Sequence, residues 1–174
     1  RTKPLTPEGA FRYADFYFDA LRQCLLAVQE DYTENPHHPE ASIVAINLQT
    51  GAIKTLAKSA DFYSNPRLSP DGKQLSYLRW FHPQMPWDGT ECVVAGLDAQ
   101  GDVLHEKIIA GGTTESIFQP QWSPTGDLFF VSDRNNWWNI YRWNGVDAEP
   151  LITLDAEFAT PQWVFGMSTY GFLN

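Results

Sequence analysis

Asn65–Gly72 reads NPRLSPDG and Gln119–Gly126 reads QPQWSPTG. Both carry an amide residue, Pro, a basic or amide residue, a large apolar residue, Ser-Pro and a closing Gly, in that order. A third copy starts at Thr160, TPQWVFGM, and keeps Pro161, Gln162 and Trp163 in phase; a fainter one, YADFYFDA over 13–20, puts Phe16 under Leu68 and Asp19 under Asp71. Ala14, Pro66, Pro120 and Pro161 are then separated by 52, 54 and 41 residues. A period of that length belongs to a blade of four short strands, the unit of a β-propeller. The S-P-D-G string suits such a unit mechanically: Pro presets φ at the first corner of a turn, Asp caps the turn amides, and Gly supplies the positive φ that closes it.

Each period contains the strands a blade needs. In the third, QPQWS, LFFVSD, NIYRW and PLITL are short apolar or alternating runs separated by the turns SPTG, DRNN and NGVDAE. The second offers PRLS, LSYLRW, CVVAGLD and LHEKIIA, with a long insertion, FHPQMPWDGTE, between its second and third strands. The first opens on FRYADFYF and continues through CLLAVQED, SIVAINL and AIKTLA, with DYTENPHHPEA as the matching long turn. Twelve Gly and twelve Pro, with an aromatic content of 14%, favour short strands over long helices and a packed core over disorder. The predicted fold is therefore all-β, a partial β-propeller with blades at 11–58, 62–111 and 117–155 and an incomplete one at 159–174, of which TPQW and STYGFL are the strands. Closing a propeller ring takes about four to eight blades, so three and a half blades read as part of a larger ring.

The formal net charge of −9 disfavours a phosphate-binding surface, and no nucleic-acid partner is expected. No apolar run approaches a membrane span, and RTKPLTPEGA lacks the apolar stretch of a secretion signal, so no membrane partner is expected either. Cys24 and Cys92 sit in apolar runs without CxxC spacing; they read as buried free thiols, which fits a reducing, cytoplasmic-type compartment.

The strings YSNPRLSPDGKQLSYLRWFHPQMPWDGTE, ESIFQPQWSPTGDLFFVSDRNNWWNIYRW and FATPQWVFGMSTYGF, in this order, resemble the N-terminal propeller of prolyl-oligopeptidase-type serine peptidases, in the branch of dipeptidyl aminopeptidases and acylaminoacyl peptidases. The resemblance runs from about Arg12 to Asn174. It implies a propeller set over an α/β-hydrolase domain that carries a Ser-Asp-His triad, with the propeller admitting small or unfolded peptides. The catalytic domain is absent from this chain: a nucleophile elbow reads G-x-S-x-G, and the nearest string, Gly166 to Gly171 around Ser168, is one residue too long. No residue here is expected to be catalytic.

Several residues are candidates for binding. Trp87 and Asp88 lie in the long second-blade insertion, where a rigid scaffold commonly positions binding residues; the alternative is a hairpin in which Pro86, Asp88 and Gly89 build the turn and Trp87 covers a blade edge. Glu115 and Ser116 precede an innermost strand, which places them near one mouth of the axial channel. In related aminopeptidases acidic residues of the propeller hold the substrate's amino terminus, and a carboxylate facing an ammonium there supplies about 1.5–3 kcal/mol. Asp133 and Arg134 read as structural, the Asp accepting turn amides and the Arg forking onto a carboxylate of the neighbouring blade. Of the adjacent Trp137 and Trp138, one is expected in an inter-blade core and the other at the surface. His37 and His38 read as solvated loop residues, His82 as a loop-ordering residue, and no metal or other cofactor is expected.

The leading reading is thus the propeller of a serine peptidase that cleaves short peptides or removes dipeptides or acylated residues from N termini. Its partners would be the downstream hydrolase domain, a peptide substrate and, through open blade edges, further copies of itself. A non-catalytic TolB-like interaction module is the alternative, with aromatic carbohydrate binding third.

Overall fold

A computed structural model of the chain describes residues 3–173. These contain twelve strands and no helix. β1 (Phe11–Asp19), β2 (Cys24–Asp31), β3 (Glu40–Asn47) and β4 (Ile53–Ala57) form the first sheet. β5 (Phe62–Leu68), β6 (Gln74–Trp80), β7 (Glu91–Leu97) and β8 (Val103–Gly111) form the second; β9 (Ile117–Trp122), β10 (Leu128–Ser132), β11 (Asn139–Trp143) and β12 (Ala148–Pro150) form the third. Every sheet is an antiparallel meander in chain order, and among the described residues no helix is long and apolar enough to cross a membrane. The architecture is a partial β-propeller of three four-stranded blades.

The middle strands explain why apolar runs, rather than clean alternation, mark these blades in the sequence. A strand in the middle of a stacked blade has both faces covered, so β3 and β7 are buried over six consecutive residues each. Leu26, Ile43 and Ala45 of the first blade meet Tyr63, Leu75, Tyr77 and Val93 of the second. A second core joins Leu78, Cys92 and Val94 to Trp122, Leu128, Phe130 and Tyr141 of the third. The outer strand β8 has only one neighbour and is largely exposed.

The inner strands share a bulge that sets the register of the repeat. Register shifts fall between Ala14 and Tyr17, between Ser64 and Arg67, and in the pairing of Phe118 and Gln121. Each holds one residue at positive φ: Asp15 (51°), Asn65 (53°) and Gln119 (49°). Asp15 is therefore equivalent to Asn65, and the first copy of the repeat lies two residues away from the alignment that paired Phe16 with Leu68. Asp19 in fact stands where Ser69 and Ser123 stand. It does their work, accepting the Leu21 and Arg22 amides at 3.0 and 3.1 Å, as Ser69 Oγ accepts the Gln74 amide at 3.0 Å and Ser123 Oγ the Asp127 amide at 3.1 Å. Carboxylate and hydroxyl cap the same turn, which is why the serine signature is missing from the first blade.

Two strand assignments are corrected. The last strand of the third blade is Ala148–Pro150, and PLITL leaves the sheet after Pro150 because Asn139 turns the chain away: its carboxamide accepts the Leu154 amide at 2.7 Å and donates to the Leu154 and Ala156 carbonyls at 3.0 Å. TPQW and STYGFL are not strands. An inner strand is paired by the strand that follows it in its own blade, and no described residue supplies one here. Instead residues 156–173 fold onto the outer face of the third blade, where Phe158, Ala159, Met167 and Tyr170 pack on Phe118, Val131 and Trp138.

Candidate functional site

An antiparallel meander sends its first and third connections to one end and its second connection, together with the link to the next blade, to the other. The first end carries the tight turns 20–23, 69–73 and 123–127. The opposite end collects the long connections 32–39, 81–90 and 133–138 and the links 58–61 and 112–116. All six candidate residues lie on that second face, and the fold brings four of them into one cluster.

That cluster is a reciprocal clamp between the link 112–116 and the end of β10. Glu115 Oε1 accepts from Ser132 Oγ at 2.6 Å and from Arg134 Nε and Nη2 at 2.8 Å each. Asp133 Oδ1 accepts the Ser116 amide at 2.8 Å, and the Asp133 amide donates to the Ser116 carbonyl at 3.3 Å. Above them the Arg134 guanidinium lies 4.7 Å over the Tyr141 ring. Burial raises the Asp133 carboxyl above the usual carboxylate range, only partly offset by the Ser116 amide. Asp133 thus caps the Ser116 amide of the facing link, where amides of its own turn were expected. Arg134 finds its carboxylate on Glu115, in the link that enters its own blade, and not on the neighbouring blade, because the bulged β9 brings that link across the end of β10.

Ser116 is buried, and its hydroxyl donates to the Pro86 carbonyl at 2.8 Å. It does not face a channel; it pins the second-blade insertion. Thr90 pins the other end: its hydroxyl accepts the Ile117 amide at 2.6 Å and its amide donates to the Glu115 carbonyl at 3.0 Å. Gly89 is required at this crossing, since a Cβ there would stand 2.6 Å from the Gly112 carbonyl oxygen. Asp88 is exposed and closes the insertion's own turn, Oδ2 accepting the Met85 amide at 3.0 Å. Trp87 is half-buried against Trp163, ring centroids 4.3 Å apart.

The two tryptophans form the end of an apolar cleft of about 460 Å³ walled also by Phe62, Trp80, Met85 and Phe165. The sequence pointed to Trp87 but not to Trp163, which was expected in a strand, nor to Phe165, which lies just beyond it; their signal was that TPQWVFGM departs from the repeat after Trp163, where a buried blade would continue it. Trp163 remains 71% exposed. His82 orders the rim, its amide donating to Asp61 at 2.9 Å and its ring meeting the edge of Phe62. Cys24 and Cys92 are both buried free thiols, and burial pushes the Cys92 thiol up. Trp138 packs on Phe118 while Trp137 is exposed. Among the described residues no group of His, Cys, Asp and Glu is placed to hold a metal ion. Ser168 Oγ contacts Gln119 Nε2 and the Tyr170 carbonyl, neither of which can take its proton.

No protein-family model and no curated protein matches the chain. Among solved structures, a puromycin-hydrolyzing peptidase of Mycobacterium tuberculosis is 35% identical over 98% of this chain, with a TM-score of 0.88. A puromycin hydrolase mutant complexed with PGG is 35% identical over 95% of the chain, also at 0.88. The chain belongs to the propellers of this peptidase family. It spans 28% and 27% of the length of those two proteins. TolB of Acinetobacter baumannii, 18% identical over 82% of the chain and 32% of its own, at a TM-score of 0.59, shares the fold alone. The clamp around Glu115 and the aromatic cleft both occupy the face with the long connections.

Proposed function

We propose that the chain is the propeller portion of a prolyl-oligopeptidase-type serine peptidase. The parent enzyme removes aminoacyl groups, dipeptides or acylated residues from N termini or cleaves short peptides, in a reducing, cytoplasmic compartment. The observation that carries this is the 35% identity with a puromycin-hydrolyzing peptidase, held over 98% of the chain. The propeller's part is access and binding: its long-connection face turns toward the hydrolase domain, and the aromatic cleft beside Trp87 receives apolar side chains. Glu115, already neutralised by Arg134, braces this face; Asp88 shapes the loop that carries Trp87. Puromycin is an aminoacyl amide with an aromatic side chain, and a cleft walled by Trp80, Trp87 and Trp163 suits such a group. The full-length protein is expected to hydrolyse puromycin and aminoacyl anilides and to lose that activity to a serine-directed phosphonate. The 174-residue chain alone is expected to hydrolyse neither. Absence of aminoacyl-amide hydrolysis in the full-length protein overturns the reading, as does turnover by the chain alone that disappears in Ser168→Ala.

A further inference from the structure

The three left-handed bulge residues hold the same place in their inner strands but are not used alike. Asp15 Oδ2 accepts the Asn65 amide at 2.6 Å, and Gln119 Oε1 accepts the Thr169 amide at 2.7 Å. Each of these side chains clasps the backbone 50 residues further on. Asn65 breaks the pattern. It is 5% exposed, its carboxamide makes no hydrogen bond among the described residues, and it lines a cavity of about 270 Å³ bounded by the inner strands of the three blades and by residues 166–168. The carboxamide atoms are not sealed from solvent, so their donor and acceptor are open to a ligand in the cavity. One water's share of liquid volume is about 30 Å³, so this cavity has room for a ligand of several heavy atoms.

The lining states which ligand. Arg67 would draw an anion, but its Nη2 is paired to Asp15 at 3.2 Å and its Nη1 donates to the Pro66 carbonyl, so the pair carries no net charge. Gln121 Oε1 already accepts from Gln119 Nε2 at 2.8 Å, which leaves the Gln121 amino group as a donor. Trp122 supplies a flat apolar wall. A carboxamide offers one donor and one acceptor side by side, the complement of the N–H and C=O that a single residue of an extended peptide presents to the same side. We propose that this cavity is a binding site for one residue of a neutral, extended peptide, whose N–H and C=O are gripped by the Asn65 carboxamide in a two-point pair with Gln121 as a further donor. The site is independent of the peptidase reading, because it is read by binding and not by turnover.

The test is a titration of the 15N-labelled chain with N-acetylglycylglycinamide, following side-chain amide signals, with sodium acetate in parallel. Saturable shifts of the Asn65 and Gln121 NH2 signals are expected with the peptide and none with acetate. Asn65→Gly removes the carboxamide yet suits the positive φ, and is expected to weaken binding at least tenfold with an unchanged thermal midpoint. Undiminished binding by Asn65→Gly, saturation by acetate but not the peptide, or no saturable shift at these two residues overturns the proposal. Should Asn65→Gly fail to fold, the native side-chain shifts decide alone.

Discussion

Glu115 shows how a residue type can be read correctly and its role only half so. An acidic residue ahead of an inner strand was visible in the sequence; that Ser132 and Arg134 already hold it was not, because they arrive from 17 and 19 residues away across a turn. Glu115→Gln is expected to cost about 1–2 kcal/mol, since a charge-assisted pair becomes a neutral one at a site that is still partly wet; urea unfolding measures it. Asp133 behaves oppositely. Its folded carboxyl titrates above the unfolded one because burial disfavours the charge. Its contribution to stability is therefore present at low pH and lost as pH rises from the unfolded value through the folded one. Asp133→Asn keeps an acceptor for the Ser116 amide and removes that charge. At pH 7 it should leave stability unchanged or raise it by about 1 kcal/mol, and a loss of 2 kcal/mol or more in chemical denaturation would refute the assignment.

At the scale of elements, strand positions were legible because stacked blades write long apolar runs into their middle strands, and turns were legible from Ser-Pro-Asp-Gly. The bulges were not. A single left-handed residue inside a strand carries no fixed residue type, as Asp15, Asn65 and Gln119 show, and the register of the first blade slipped in consequence. Gly111 marks another element-level constraint: at φ 89° a Cβ would fall 1.8 Å from the Thr90 carbonyl oxygen. Gly111→Ala should destabilise by about 2 kcal/mol or more, read as a lower midpoint in thermal unfolding. Gln119→Ala removes the bonds that dock residues 168–170. It is expected to make cleavage within 156–173 at least several-fold faster in limited proteolysis, with the three sheets still protected in hydrogen exchange; an unchanged cleavage rate would show that apolar packing alone holds the segment.

The whole molecule is a stack of three blades whose two inter-blade cores are filled and whose two outer faces are finished differently. On the third blade, residues 156–173 cover Phe118 and Val131. On the first, Phe16 and Phe18 of the inner strand stay about half exposed. Apolar surface of that kind, beside strands with unpaired inner edges, predicts association of copies of this chain that grows with concentration. Light scattering across a hundredfold concentration range should show it, and a monodisperse monomer throughout would count against it. Phe16→Ser with Phe18→Ser should reduce it.

The sequence by itself determined the blade period, the strand-rich class, the buried thiols and the family, because each of these is written in local patterns: spacing, turn residues and apolar runs. Only the tertiary structure decided that Ser116 is buried beneath Pro86, that Arg134 neutralises Glu115, that Trp87 and Trp163 share a cleft, and that Asn65 faces a cavity with its carboxamide unpaired. Those contacts join residues from 19 to 76 positions apart, and which of them form depends on bulges and blade stacking that no single segment of the chain encodes.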